Sequence, residues 1–354
     1  MWDNARFLCV TLVVIGHGIQ RLTADSDAAL VLYLFIYAFH MPAFAIISGY
    51  FSKASPPTSR RMKKVLTDIL LPYFIMETIW SLVQFFVEGR QEFNPSKPSW
   101  TLWFLLALGI FRLILPYLVL MRWPLVWALV FSVGVGYLTN IDNTFSLSRA
   151  IGILPFFLLG WQARQWDVIG AWQRVARVWW FRAAALGVFA LWLAVVIAFL
   201  PVWQSIDLRF WFFYDDSYRG LGEDQWWAGL IRLGLILLAV LLCTAFFILV
   251  PRRVTWITGF GQATMYIYLL HSFVLYPFRE TGVLGGHPSV AWLAAVVLAC
   301  IGISIALASS FVRRLFRPLI EPKPNWLFIP LEDDDHGPSR VDPTGSRRPR
   351  QLPR

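Results

Sequence analysis

Leu30–Phe51 reads LVLYLFIYAFHMPAFAIISGYF, an unbroken stretch without one Asp, Glu, Lys or Arg. The hydrocarbon core of a bilayer takes about 20 apolar residues of helix, with a range of about 17–25, so this stretch predicts a membrane span. Lys53, Arg60, Arg61, Lys63 and Lys64 follow it directly. Short loops rich in Lys and Arg face the cytoplasm, which predicts the orientation of the span as well.

The same pattern recurs along the chain. Apolar runs occupy Phe7–Ile19, Leu30–Phe51, Val65–Val87, Leu102–Met121, Leu125–Leu138, Ile151–Trp161, Ala183–Leu200, Leu230–Val250, Ala263–Phe278 and Ala291–Val312. Runs two, three, four, seven, eight and ten are of full span length, whereas the first, fifth, sixth and ninth are short. Arg164, Arg174, Arg177 and Arg182 follow run six, Arg252 and Arg253 follow run eight, and Arg313, Arg314 and Arg317 follow run ten. Arg122 marks the tight turn after run four. The alternate loops, such as Ile141–Asn143 and Asp215–Asp224, are neutral or acidic. This alternation predicts an all-α polytopic integral membrane protein, with about ten transmembrane helices in one bundle and both termini cytoplasmic. The first run is expected to be a retained span and not a signal peptide, since it contains a histidine and no clear small-residue cleavage site follows.

Composition agrees. Of the 354 residues 58% are hydrophobic and only 15% charged, against about 25% charged in a soluble domain. The chain therefore has too few charges to cover a water-facing surface. The net charge of +10 sits in loops between spans, so it reads as membrane orientation and not as nucleic-acid binding. Cys9, Cys243 and Cys300 lie inside apolar runs without metal-ligand spacing and read as packing residues. The domain is placed at residues 1–318. Residues 319–354 are expected to be a disordered cytoplasmic tail, because from Glu321 the chain has too few apolar side chains to bury.

Ionisable side chains inside spans are costly and mark functional sites. Arg6 and His17 are eleven positions apart, three helical turns plus ~20°, with a rise of ~16 Å. They therefore share a face, Arg6 at the cytoplasmic rim and His17 near mid-membrane. Gly16 and Gly18 would let another chain or a ligand approach. His40, in run two, and His271, in run nine, come to a similar depth. Glu77 and Arg112, in runs three and four, are placed near mid-depth as a possible ion pair. The five cations of Lys53–Lys64 suit the phosphates of a cytoplasmic ligand. The aromatic and acidic segment Pro201–Trp227 suits the C–H faces and hydroxyls of a sugar, or a membrane interface.

These residues resemble the acyltransferase 3 family of membrane proteins, and within it the fucose 4-O-acetylase-like branch. Trp2-Asp3-Asn4-Ala5-Arg6-Phe7-Leu8 with Val13-Val14-Ile15-Gly16-His17 is similar to that branch's first helix. Phe39-His40-Met41-Pro42-Ala43-Phe44 leading to Ser48-Gly49-Tyr50-Phe51 resembles the second block, Leu102-Trp103-Phe104-Leu105 through Arg112 the third, and Tyr266 to His271 a later one. The resemblance implies an O-acyltransferase. It would move an acyl group, usually acetyl, from cytoplasmic acetyl-CoA to a hydroxyl of a glycan or lipid-linked sugar, in a bacterial plasma membrane and surrounded by its lipids. His17 would be the general base or an acyl carrier, and Arg6 would lie on the donor's path. Asp3, His40, Glu77, Trp103, Arg112 and His271 are expected around the substrate, and Arg60, Arg61, Lys63 and Lys64 at the coenzyme phosphates, with no metal. The rival reading is a transporter or flippase of a lipid-linked saccharide, but no internal repeat with paired broken helices is present. A haem or metal protein is disfavoured, since no two histidines stand on one helix with ligand spacing.

Overall fold

The run that opens the reading of the sequence is two helices, not one. Pro42 has no N–H, and its ring clashes with the carbonyl four residues earlier, here that of Ala38. In the computed structural model the chain accordingly breaks at Ala38–Phe39, where Phe39 takes φ −142° and ψ −19°. The His40 side chain covers the break: its Nδ1 donates at 2.9 Å to the Ile36 carbonyl, which an unbroken helix would pair with the His40 backbone N–H and which here also accepts from the Phe39 N–H at 3.3 Å.

The structure describes residues 1–56, 58–89, 93–168, 178–324 and 326–328, and among these the regular elements are helical, without a strand. In chain order they are α1 Trp2–Ile19, α2 Asp27–Tyr37, α3 His40–Tyr50, α4 Ser59–Val65, α5 Leu71–Glu88, α6 Trp103–Leu118, α7 Pro124–Val135, α8 Leu147–Gln165, α9 Trp179–Ala198, α10 Leu200–Ser205, α11 Leu208–Trp211, α12 Ala228–Leu249, α13 Thr264–Glu280, α14 Val290–Leu307 and α15 Ser310–Ile320. Every apolar run carries a helix. Seven stretches are long and apolar enough to cross a membrane: Trp2–Ala24, Asp27–Tyr50, Ser59–Glu88, Thr144–Gln165, Trp179–Ala198, Ala228–Leu249 and Val290–Leu307. α6, α7 and α13 are shorter, so length and composition alone support seven crossings where the runs suggested about ten. Two runs that looked short are longer as helices. α1 begins at Trp2 and continues into a 3₁₀ turn over Gln20–Ala24, and α8 takes in polar residues at both ends.

Small residues let the helices meet backbone to backbone, the usual way helices associate in lipid. A Cβ on Gly49 of α3 would lie 1.8 Å from the Phe157 carbonyl oxygen of α8, and one on Gly160 of α8 would lie 2.0 Å from that of Ile46. Gly16 and Gly18 make room on α1 for neighbouring side chains instead, the Tyr37 ring and Cys300 Sγ. The start of α1 is tied to the turn before α13. Asn4, fully buried, donates to the carbonyls of Pro251 (2.8 Å) and Arg253 (3.1 Å) and accepts from the Thr258 hydroxyl at 2.7 Å. His17 stands thirteen residues beyond Asn4, and His271 thirteen beyond Thr258. That tie sets the two histidines at one depth.

The chain divides into Met1–Lys323 and Pro324–Arg354. Most of the expected tail, and Arg174 and Arg177, lie outside the described residues. The three cysteines are free and buried, which makes a labelling test of topology clean. Single cysteines at Lys53–Lys64 should resist an impermeant thiol reagent on intact cells, and those within Pro201–Trp227 should react. Labelling of the first segment from outside would reverse the orientation.

Candidate active site

α1, α2, α3, α6, α8 and the segments before α6 and after α11 enclose a cavity of about 130 Å³, lined among others by His17, His40, Trp100, Trp103, Arg149 and Phe213. His17 meets Trp100 edge to face, ring centres 5.4 Å apart, and the His271 ring at 5.5 Å. His40 lies 4.6 Å from the Tyr37 ring. Because a carbonyl can only accept, the bond from His40 to Ile36 puts the proton on Nδ1 and leaves the Nε2 lone pair free. One wall is thus basic and aromatic, a combination able to hold a polar molecule with apolar faces and to take a proton from it.

A second hollow, about 220 Å³, lies toward the Arg6 end of the helices. Arg6, Phe51, Ser48, Arg112, Thr264 and Tyr268 are among its walls. Met41 lines both hollows and stands between the arginine end and the histidine end. Arg6 is held by Asp3 at 3.0 Å and lies over the Phe51 ring at 4.4 Å. A third hollow, walled by Trp2, Ile46, Leu159 and Phe247, holds no histidine or carboxylate side chain among the described residues.

The expected site residues therefore separate into groups. His17, His40 and Trp103 line the cavity, and His271 backs it. Arg6 and Arg112 line the other hollow, with Asp3 beside Arg6. Glu77 and Arg112 do not pair. Glu77, nearly fully buried, accepts from the Ser99 backbone N–H at 2.9 Å and the Ser99 hydroxyl at 2.6 Å. Ser99 precedes α6, whereas Arg112 is nine residues into it, ~14 Å farther along, so the two groups sit at different depths. Glu77 instead pins the loop that carries Trp100, which adopts a left-handed φ of 38°. Arg60, Arg61, Lys63 and Lys64 lie on α4 and line neither hollow.

Arg149 was missed by sequence reading because the apolar run appeared to begin at Ile151. Its Nε donates to Asp215 Oδ2 at 2.8 Å and its Nη2 bonds the same oxygen. Its guanidinium lies 5.0 Å from the Trp103 ring centre and 5.6 Å from that of Phe213. A charged residue in the first turn of an otherwise apolar helix was the signal that could have found it. The aromatic and acidic segment contributes Phe212 and Phe213 to the cavity. Its Asp215 is engaged by Arg149 and Asn143, and its Trp211, Tyr214 and Tyr218 are buried. In the loop before α12, burial and then the neighbouring Asp215 carboxylate push the Asp216 carboxyl above its ordinary range. Among the described residues no group of three or more His, Cys, Asp or Glu side chains is placed to hold a metal ion.

Comparison with known proteins bears on what this constellation belongs to. Over 88 residues the chain is 35% identical to the nodulation protein NolL of Mesorhizobium japonicum, a stretch covering 23% of this chain and 24% of that protein. The chain thus matches about a quarter of the length of that relative. No solved structure matches. A family model described as an acyltransferase domain matches residues 2–309, α1 through α14 and with them every residue of the two hollows named above. The chain belongs to the acyltransferase 3 family of integral membrane proteins.

Proposed function

We propose that this protein is an O-acyltransferase of the fucose 4-O-acetylase-like branch, moving an acetyl group from cytoplasmic acetyl-CoA to a hydroxyl of a glycan or lipid-linked sugar. The observation that carries this reading is the pair of hollows meeting at Met41, one lined by Arg6 and Arg112 and the other by His17 and His40 with Arg149. The pantetheine arm enters past Arg6 and Arg112, and the acceptor sits against Trp100, Trp103 and Phe213, whose rings suit sugar C–H faces. His17 takes the proton from the acceptor hydroxyl as its oxygen attacks the thioester carbonyl. The carbon–sulfur bond then breaks, and the thiolate leaves with the proton that His17 returns. A positioned base of this kind contributes about 10²–10⁴-fold. Trp2 to Leu8 supports the branch, and the basic α4 supports a cytoplasmic, phosphate-bearing donor in a bacterial plasma membrane with both termini inside.

The test compares intact masses of surface glycans and glycolipids from cells that make the protein and cells deleted for it. The proposal expects a species heavier by acetyl groups only in the first. Identical mass profiles, with the protein present and folded, would sink it.

A separate prediction concerns α4. If its cations hold the coenzyme phosphates, replacing Arg60, Arg61, Lys63 and Lys64 together with Gln should raise the KM for acetyl-CoA. Rising salt should weaken the wild type in the same direction, since exposed charges are screened. Unchanged saturation by acetyl-CoA in the quadruple variant would leave these residues only their part in orienting the chain.

A further inference from the structure

His271 is fully buried, and its Nδ1 lies 2.7 Å from the Tyr268 carbonyl oxygen and 3.1 Å from that of Ile267. Both partners can only accept, so Nδ1 carries the proton and Nε2 holds a bare lone pair. That Nε2 is buried without a hydrogen-bond partner among the described residues. The neighbouring ring is His17, 5.5 Å away centre to centre, and its Nδ1 is also buried without a partner. Two adjacent rings thus each leave one nitrogen unanswered in a water-poor interior, where an unpaired polar group is costly. One of the two must be an acceptor. The pair closes if His17 carries its proton on Nδ1 and gives it to His271.

We infer that His271 is a positioning residue for His17, accepting from His17 Nδ1–H and so leaving His17 Nε2 unprotonated toward the cavity. A ring separation of 5.5 Å brings facing nitrogens to the edge of direct hydrogen-bond reach, and a small rotation or one water completes the bond. The order of events in the chain favours the assignment. Ile267 and Tyr268, one helical turn back on α13, fix the tautomer of His271. His271 then fixes that of His17, and a base is useful only when its lone pair faces the proton it removes. The Asn4 tie between α1 and the turn before α13 holds the two rings at one depth. His40 spends its own Nδ1–H on the Ile36 carbonyl within α2–α3, so that proton is not offered to either of the two unanswered nitrogens.

This inference rests on the reading of His17 as the base, and the experiment separates the two. In His271→Asn the side-chain amide still donates to the Ile267 and Tyr268 carbonyls, but nothing reaches the Nε2 position. In His271→Gln the amide oxygen reaches that position and can accept. The chain has five histidines, few enough for nitrogen-15 NMR of the resting protein in lipid, with the His17 signal identified by its loss in His17→Gln. The expected result is a His17 protonated on Nδ1 in the wild type and in His271→Gln, and no longer held in that tautomer in His271→Asn. In parallel, kcat of His271→Asn should fall on the order of 10–100-fold, by analogy with the loss on removing the hydrogen-bond partner of a metal-ligating histidine. KM for acetyl-CoA should stay unchanged, and His271→Gln should recover much of kcat. A wild-type His17 protonated on Nε2, or an unaltered tautomer in His271→Asn, overturns the inference whatever the activity. An active His17→Gln protein overturns the base assignment alone, because the tautomer measurement needs no turnover.

Discussion

Folded His17→Gln protein should transfer acyl groups on the order of 10²–10⁴-fold more slowly than wild type, the range a positioned base supplies. Glutamine keeps nearly the same size and can still donate or accept one hydrogen bond, so the α1 packing beside Trp100 and His271 should survive. What it cannot do is hold a proton taken from a hydroxyl. The pH profile of the wild type should show an ascending limb from one group that must be deprotonated, and that limb should be gone in the variant. Because the lost interaction is made in the transition state, kcat should fall with little change in KM. Arg6→Lys should retain part of the activity, since it keeps the charge but not the planar fork, and Arg6→Ala should retain less. If His17 were only a packing residue, the pattern would invert, with His17→Gln nearly active and His17→Ala poorly folded. Well-folded His17→Gln protein acetylating a sugar at near wild-type rate refutes both the base and an acyl-histidine intermediate.

The second large effect concerns folding. Gly49→Ala should destabilise the bundle by more than the about 1–3 kcal/mol usual for overpacking. The new methyl would fall 1.8 Å from the Phe157 carbonyl oxygen, which is backbone and cannot rotate aside. Gly160→Ala should behave alike, against the Ile46 carbonyl at 2.0 Å. Activity should drop with stability, since α3 carries His40 and Met41. Gly187→Ala in α9 is the control: nothing lies within 4 Å of its added Cβ, and alanine there should stabilise by roughly 0.5–1 kcal/mol. Thermal unfolding in detergent checks all three. A Gly49→Ala protein as stable as the control would show that α3 and α8 can separate without penalty.

The helices were legible because each span must be apolar over its whole length, a demand that composition alone satisfies or fails. What hydropathy does not register is a break inside an apolar run. Pro42 stood in plain view, yet Leu30–Phe51 read as one unbroken helix because the run holds no Asp, Glu, Lys or Arg to mark a break, although the two helices together still make one stretch of membrane length, Asp27–Tyr50. Charges at helix ends are legible only where the run boundary is right, and Arg149 lies two residues outside the apolar run that begins at Ile151. Residues on one helix, such as Arg6 and His17, could be related by counting turns. Residues on two helices could not: Glu77 and Arg112 looked like partners until Ser99 showed that they lie at different heights. His271 was visible as a histidine at membrane depth, but its nearness to His17 depends on Asn4, and a buried asparagine tied to a turn some 250 residues away leaves no local trace.

Met41 has a consequence for the cell's energy supply. Two hollows that approach each other from opposite ends of a helix bundle amount, if joined, to a hole through which protons would run down their gradient. A thioether on an unbranched, three-bond side chain is apolar enough to exclude a water wire and supple enough to move aside. On the proposed reaction, it yields to an acyl group at each turnover and closes behind it. On that reaction the side chain shared by the two hollows would both admit the donor carbon and keep the membrane charged.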